Sequence, residues 1–267
     1  MGATAMAAAG KLGASAEIWT RIGDDLSGEF LIRDFHRFNV DTSQVRIVPG
    51  AATGVCAVLV NADTGDRRFI FYPGRGLDVP LNFDLARIDH AKCILVDGSF
   101  IDDAIRAAAR ARQVGVPVVA DLGGLAGKAL ELARLVDIMI VPEECARRYA
   151  DGADPAVSIP RIRDLGPRVV VVTMGDRGGL YAGRLRDGDP ETPLTHYEAF
   201  KVPVVDTTGC GDVFHGAFCF GLVRGWGLDR IVQFASATAA LKCRELGGRS
   251  GIPTCDEVQQ FLTQQVV

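Results

Sequence analysis

The sequence predicts an α/β protein whose mostly parallel sheet is joined by crossover helices and carries a small antiparallel flap. Short apolar runs of strand length alternate with helix-length segments over most of the chain, and strands buried on both faces that alternate with helices build parallel sheets. Ahead of that alternation, two runs rich in Val, Ile and Phe are joined by Ala62-Asp63-Thr64-Gly65-Asp66, a hairpin signature. No apolar run nears the ~20 residues that a membrane helix requires.

Residues 4–12 read as helix and 16–22 as strand, after which Gly23-Asp24-Asp25 turns the chain into an amphipathic helix that runs to Phe38. Strand-like runs at 55–61 and 67–72 flank the hairpin turn. The rhythm then becomes strand 93–96, helix 101–114, strand 116–120, helix 128–135, strand 138–141 and helix 143–149. Strand 169–173 leads into a stretch rich in Gly and Asp, and late helices are expected over 212–224 and 228–243.

The 267 residues include 29 Lys+Arg and 33 Asp+Glu, a net charge of −4, with the basic residues scattered. That argues against a nucleic-acid partner, which demands a concentrated basic face. Hydrophobic residues at 48% and charged residues at 23% fit a globular chain, and the length suits one large domain or one and a half. Seven cysteines without a Cys-x-x-Cys pair point to free thiols in a reducing cytoplasm. The first residues lack the basic start and apolar core of a signal peptide.

Ligands of open α/β sheets bind beyond the carboxyl ends of the strands. Those positions hold Gly23-Asp24, Asp97-Gly98, Asp121-Leu122-Gly123-Gly124, Pro142-Glu143-Glu144 and Thr173-Met174-Gly175, and four of the five present a carboxylate. One such Asp is readily a helix cap. Repetition along a rim points to a site.

The most informative stretch is residues 205–218. An extended run ends at Asp206, Gly209 and Gly211 flank Cys210, and a helix opens at Asp212. Glycines ahead of a helix let amides converge, and the helix dipole adds positive charge, so Gly209, Cys210 and Gly211 can form an anion hole for a phosphate. Asp212, at its edge, can take a proton from a hydroxyl attacking the bound phosphoryl group. The run lacks the third glycine of a dinucleotide fingerprint and the Gly-Lys-Ser/Thr of a P-loop, which disfavours an NAD-dependent oxidoreductase and a P-loop NTPase.

Here the sequence resembles the ribokinase-like, or PfkB, carbohydrate kinase family, whose second signature reads D-T-x-G-x-G-D. Asp206-Thr207-Thr208-Gly209-Cys210-Gly211-Asp212 matches it at every fixed position. Leu12-Gly13-Ala14, Gly23-Asp24-Asp25 and Gly28 resemble the first signature region, and Val171-Val172-Thr173-Met174-Gly175-Asp176-Arg177-Gly178 resembles the V-T-x-G-x-x-G nucleotide segment. The resemblance runs from residue 1 to about 260.

It implies a three-layer α/β/α ribokinase-like fold with a body at 1–42 and 76–267 and a β lid at 43–75. The implied activity is transfer of the γ-phosphoryl group of ATP, with Mg²⁺, to a primary hydroxyl of a small sugar, a ketohexose or a related acid or sulfonated sugar. Asp212 would be the base and would also touch the sugar, together with Gly2, Thr4, Asp24 and Asp97. Thr173, Gly175 and Gly178 would lie along ATP, with Ser236 and Gly248 near adenine. Asp206 and Thr208 would hold a monovalent cation such as K⁺, and Glu144 a magnesium-bound water. Arg67, Arg68 or Arg75, turned inward, would favour an anionic sugar, and the lid would provide a homodimer contact.

The chain departs from the family pattern in two places. It begins inside the G-G-x-x-x-N motif, with Thr4 at the Asn position, so the first strand and part of the lid are expected to be missing. Glu143 and Ala146 stand where relatives show the Asn and Glu of N-x-x-E. A nucleoside kinase of the same fold and a catalytically silent sugar- or nucleotide-binding protein are the competing readings.

Overall fold

The structure, a computed structural model, describes residues 1–60 and 67–265. The expected hairpin turn at 62–66 and the side chain of Arg67 lie outside the described residues. In chain order the elements are α1 (Gly2–Lys11), β1 (Ala16–Glu17), β2 (Thr20–Gly23), α2 (Leu26–Arg37), β3 (Val40–Asp41), β4 (Val45–Val48), β5 (Val55–Val60) and β6 (Arg67–Tyr72). They continue with β7 (Ile94–Asp97), α3 (Ile101–Val114), β8 (Val118–Asp121), α4 (Lys128–Ala133), β9 (Ile138–Pro142), α5 (Glu143–Tyr149) and α6 (Pro155–Arg163). The chain ends with β10 (Val169–Thr173), β11 (Gly179–Gly183), β12 (Thr192–Tyr197), α7 (Cys210–Val223), α8 (Leu228–Lys242) and α9 (Cys255–Gln264). Two compact units result, Met1–Ala14 with Asp84–Val267, and Ser15–Phe83.

The larger unit holds a six-stranded sheet in the order β12-β11-β10-β9-β8-β7. Strands β7 to β10 run parallel, in registers such as Asp97 opposite Asp121 and Val171 opposite Ile140. The runs Val118–Asp121 and Val169–Thr173 are buried along nearly their whole length, as strands covered by helices on both faces must be. One helical layer contains α1, α7, α8 and α9, and the other α3 to α6.

Strands β11 and β12 correct the reading of the Gly- and Asp-rich stretch. They pair antiparallel with β10 and with each other, but Gly179, Gly183 and Pro193 deprive them of a strand-like apolar pattern. Helix α6, with Pro160 inside it, and the largely polar α9 were likewise absent from the expected order.

Helix α7 is buried from Val213 to Leu222 and forms the spine of the main core, with Phe214, Phe218 and Phe220 packed toward Phe234 and Tyr181. A Cβ on Gly216 would stand 2.1 Å from the Ala5 carbonyl oxygen, so α1 and α7 meet backbone to backbone. The row Ala5, Ala7, Ala8 and Ala9, all buried, makes that approach possible.

In the smaller unit the expected strand 16–22 is split at Ile18 and Trp19 into β1, parallel to β3, and β2, parallel to β4. These pairs help to tie residues 15–83 into one compact unit, which contains the stretch 43–75 expected to form the lid. Asp25 caps α2, accepting the Gly28 amide at 2.8 Å and both the amide and the hydroxyl of Thr53 at 2.8 and 2.6 Å. Strands β5 and β6 form the small antiparallel sheet, Val55 facing Tyr72. Phe69, Ile70 and Phe71 are exposed on it, as is Arg68, and Arg75, beyond the end of β6, is exposed as well.

Candidate active site

The local geometry begins at Gly209, which caps α7 in the left-handed region with φ 77°. A Cβ there would lie 2.6 Å from the Gly248 carbonyl oxygen, so the turn accepts only glycine and packs directly on the 247–248 loop. The helix opens at Cys210, two residues before the expected start at Asp212. Asp212 therefore stands within the first turn and is not the cap. The run ending at Asp206 is no strand either, since the amides of Val205 and Asp206 both donate to the Cys243 carbonyl, at 2.8 and 3.1 Å.

Of the three amides expected to line an anion hole, that of Cys210 donates to the Thr207 carbonyl at 3.2 Å. The amides of Gly209, Gly211 and Asp212 have no protein acceptor among the described residues. Helix N-termini leave such donors open, and an anion satisfies them. The Cys210 thiol lies 2.7 Å from that of Cys243, at the end of α8.

Asp212 is half-buried but closely surrounded by protein. Burial pushes its carboxyl from 3.8 up to about 6; the Met1 ammonium and His215 oppose the rise, and the charges of Asp121 and Asp97 add to it. A carboxyl so poised is suited to proton transfer near neutral pH. His215 follows on the same helical face, its Nδ1 2.7 Å from the Gly211 carbonyl and its Nε2 3.2 Å from that of Ile140. Asp121 approaches His215 Nε2 at 3.6 Å, and burial raises its carboxyl against the attraction of that ring. Asp121 Oδ2 has no hydrogen-bond partner among the described residues. Sequence reasoning noted Asp121 at the rim but gave His215 no role. The i, i+3 spacing from Asp212 was the available signal.

Asp97 Oδ2 accepts the Gly2 amide at 2.9 Å, and its Oδ1 accepts the Ser99 amide at 2.9 Å. Thr4 Oγ1 accepts from Arg249 Nε at 3.1 Å. Gly2, Thr4 and Asp97 thus lie in one unit with Asp212. Asp24 belongs to the other unit, where it is exposed and accepts the Gly50 amide at 2.9 Å, the turn-forming role of a short acidic side chain.

Thr173 ends β10, and Gly175 opens the 3-10 turn Gly175–Arg177 with φ 63°. Gly178 has a backbone reason to be glycine: φ is 73°, and a Cβ would stand 1.8 Å from the Tyr197 carbonyl oxygen. Ser236 lines a cleft of about 450 Å³ with Tyr181, Tyr197, Phe200, Val232 and Gln233. Asp212 is not part of that cleft.

Glu144, expected to orient a magnesium-bound water, is engaged on the surface. Its carboxylate is exposed at the start of α5 and pairs with Arg148 at 2.5 Å, while Glu143 is engaged by Arg147 at 2.8 Å and by Arg177. Among the described residues no group of three or more His, Cys, Asp or Glu side chains could hold a metal ion. Asp206, expected to help bind a monovalent cation, takes one amide donor on each carboxylate oxygen: Oδ1 the Thr208 amide and Oδ2 the Gly247 amide, each at 2.8 Å. Burial alone would raise its carboxyl, but the amide and hydroxyl of Thr208, the Gly247 amide and the charge of Lys242 hold it at about 2.

A parallel α/β/α body with open helix amides and a carboxyl held near neutrality beside them defines the class as group-transfer enzymes acting on anionic donors. The comparisons narrow it. The family described as pfkB family carbohydrate kinase matches residues 1–255. A deoxyribokinase of Salmonella typhi is 27% identical over 273 residues, covering 98% of this chain and 86% of its own. An ATP-dependent ribose-1-phosphate kinase of Halopiger xanaduensis is 30% identical over 250 residues, covering 91% and 79%. The ribokinase of Arabidopsis thaliana, solved in complex with ribose and ATP, superposes with a TM-score of 0.86 at 25% identity, covering 98% and 86%. The chain belongs to the pfkB carbohydrate kinase family, has the ribokinase-like fold, and is a phosphotransferase with an alcohol group as acceptor. Among the described residues no helix is long and apolar enough to cross a membrane.

Proposed function

We propose that this chain transfers the γ-phosphoryl group of ATP, entering as its magnesium complex, to a primary hydroxyl of a small sugar. The observation that carries the reading is the position of Asp212 in the first turn of α7, beside unengaged amides and with its carboxyl lifted to about 6. Asp212 takes the proton of the attacking hydroxyl. The amides of Gly209 and Gly211 and the helix dipole stabilise charge on the transferring group, which is the main demand of phosphoryl transfer. Thr173, Gly175 and the Gly248 loop lie along the nucleotide, and Ser236 borders adenine. Gly2, Thr4 and Asp97 orient the sugar. A magnesium ion bound with ATP would neutralise phosphate charge and keep several waters, one of which Glu144 would orient only by giving up its surface pair with Arg148.

Relatives named for ribose and deoxyribose put pentoses beside the ketohexoses and acidic or sulfonated sugars that the sequence suggested. ADP release measured over fructose, ribose, ketodeoxygluconate, a sulfonated ketohexose and adenosine decides among them. Sugar-dependent turnover supports the reading, adenosine as sole acceptor makes the chain a nucleoside kinase, and ATP binding without turnover over the panel makes it a silent binder. The exposed apolar residues of the β5–β6 sheet favour self-association through it, which light scattering of the wild type and a Phe69→Ser, Phe71→Ser variant would test.

A further inference from the structure

Lys242, the last residue of α8, is fully buried, with 0% of its surface exposed. Lysines ordinarily extend their ammonium to water, and an ammonium kept inside requires a partner. The partner here is the main chain of the signature segment: Nζ donates to the Asp206 carbonyl oxygen at 3.0 Å. Around that contact, the Asp206 carboxylate takes the amides of Thr208 and Gly247, and the Cys243 carbonyl takes those of Val205 and Asp206. The chain at 205–208 is thereby stitched to the chain at 242–247. One residue further on stands Gly209, whose turn rests on Gly248 and starts the amide row.

A monovalent metal ion at this segment needs oxygen lone pairs turned toward it. Each Asp206 carboxylate oxygen already accepts one amide, and a cation bound there would share the carboxylate with the Lys242 ammonium, whose like charge already acts on it. The residues present do not fit the ion that Asp206 and Thr208 were expected to hold.

We infer that Lys242 is a built-in cation, its ammonium doing for the Asp206–Thr208 segment what a bound potassium ion would do, so that phosphoryl transfer here needs no monovalent metal. Lys242 is a positioning residue. It acts through Asp206, fixing the segment that sets Gly209, and its charge acts on the Asp206 carboxylate. This inference rests on the kinase reading, and its test separates the two.

The wild-type protein is transferred into buffer whose only monovalent cation is tetramethylammonium, and turnover is followed as KCl replaces tetramethylammonium chloride at constant ionic strength, which keeps general screening unchanged. The rate is expected to change by less than about twofold, whereas activation by roughly tenfold or more would overturn the inference while leaving the kinase reading intact. Should no sugar support turnover, the kinase reading fails first, and urea midpoints in the same two salts still decide. Equal midpoints support Lys242 as the cation, and potassium-specific stabilisation shows a bound ion and overturns it. Lys242→Met, which keeps the volume and removes the charge, is expected to lose activity and to regain part of it with potassium or ammonium but not with tetramethylammonium; Lys242→Arg should retain more activity without rescue. A folded Lys242→Met protein as active as wild type in tetramethylammonium would overturn the inference. If that variant does not fold, the wild-type measurements alone carry the decision.

Discussion

Asp212→Asn removes a charge at nearly constant shape. In the folded chain burial lifts this carboxyl from 3.8 to about 6, and a rise of that size corresponds to about 3 kcal/mol of folding free energy. The folded state holds the proton more tightly than the unfolded one. The carboxyl therefore costs no stability below 3.8, opposes folding increasingly as pH climbs from 3.8 to about 6, and opposes it by a constant amount above that. Asn carries no such dependence. At neutral pH the variant is expected to be more stable than wild type by roughly 1–3 kcal/mol, the lower end allowing for solvent that reaches a half-buried group, and the advantage should vanish toward pH ~4. Turnover should move the opposite way, falling by roughly 10²–10⁴-fold as a general base is lost, with ATP affinity nearly unchanged. Urea unfolding followed by tryptophan fluorescence over a pH series, alongside coupled ADP release, measures both. A variant that turns over like wild type, or one that is less stable at neutral pH, would refute the reasoning.

Asp121→Asn should ease the ionisation of Asp212 and shift the acid limb of kcat/KM, expected near 6 in the wild type, downward by about half a unit, read from the pH–rate profile. Gly216→Val places a Cβ 2.1 Å from the Ala5 carbonyl oxygen and should cost at least ~2 kcal/mol in urea unfolding as α1 is pushed from α7. Glu144→Ala, which breaks an exposed pair with Arg148, should change stability by less than about 0.5 kcal/mol and leave the magnesium dependence of turnover unaltered; a raised magnesium requirement would return that residue to the metal site.

The parallel half of the sheet was legible because Val118–Asp121, Ile138–Pro142 and Val169–Thr173 are continuous apolar runs, the pattern that two-sided burial imposes. Strands β11 and β12 were not, because Gly179 is required by the close approach of the Val172 carbonyl and the Tyr197 ring, and Gly183 by that of the Arg168 carbonyl, rather than by any strand preference. Asp212 and its glycines could be read locally, since an anion site at a helix start is built from consecutive residues. The roles of His215 and Lys242 could not. His215 depends on β8 and β9 delivering Asp121 and the Ile140 carbonyl, and Lys242 looks in sequence like any lysine complementing a helix dipole. Glu144 is a rim carboxylate whose pair with Arg148, one turn along, the sequence reading left out.

The contact of α1 with α7 also has a bearing on how the protein is made. Residues 2–11 are synthesised long before the segments they pack on, yet the groove that receives them is built from α7 and closed by Arg249 on Thr4. Their alanine-rich apolar face must wait, unpartnered, until nearly the whole chain has been synthesised. Pairings this distant in sequence fold slowly and leave sticky surface uncovered in the meantime, so the newborn chain should depend on chaperones more than its size alone would demand, and acquisition of activity should follow docking of α1.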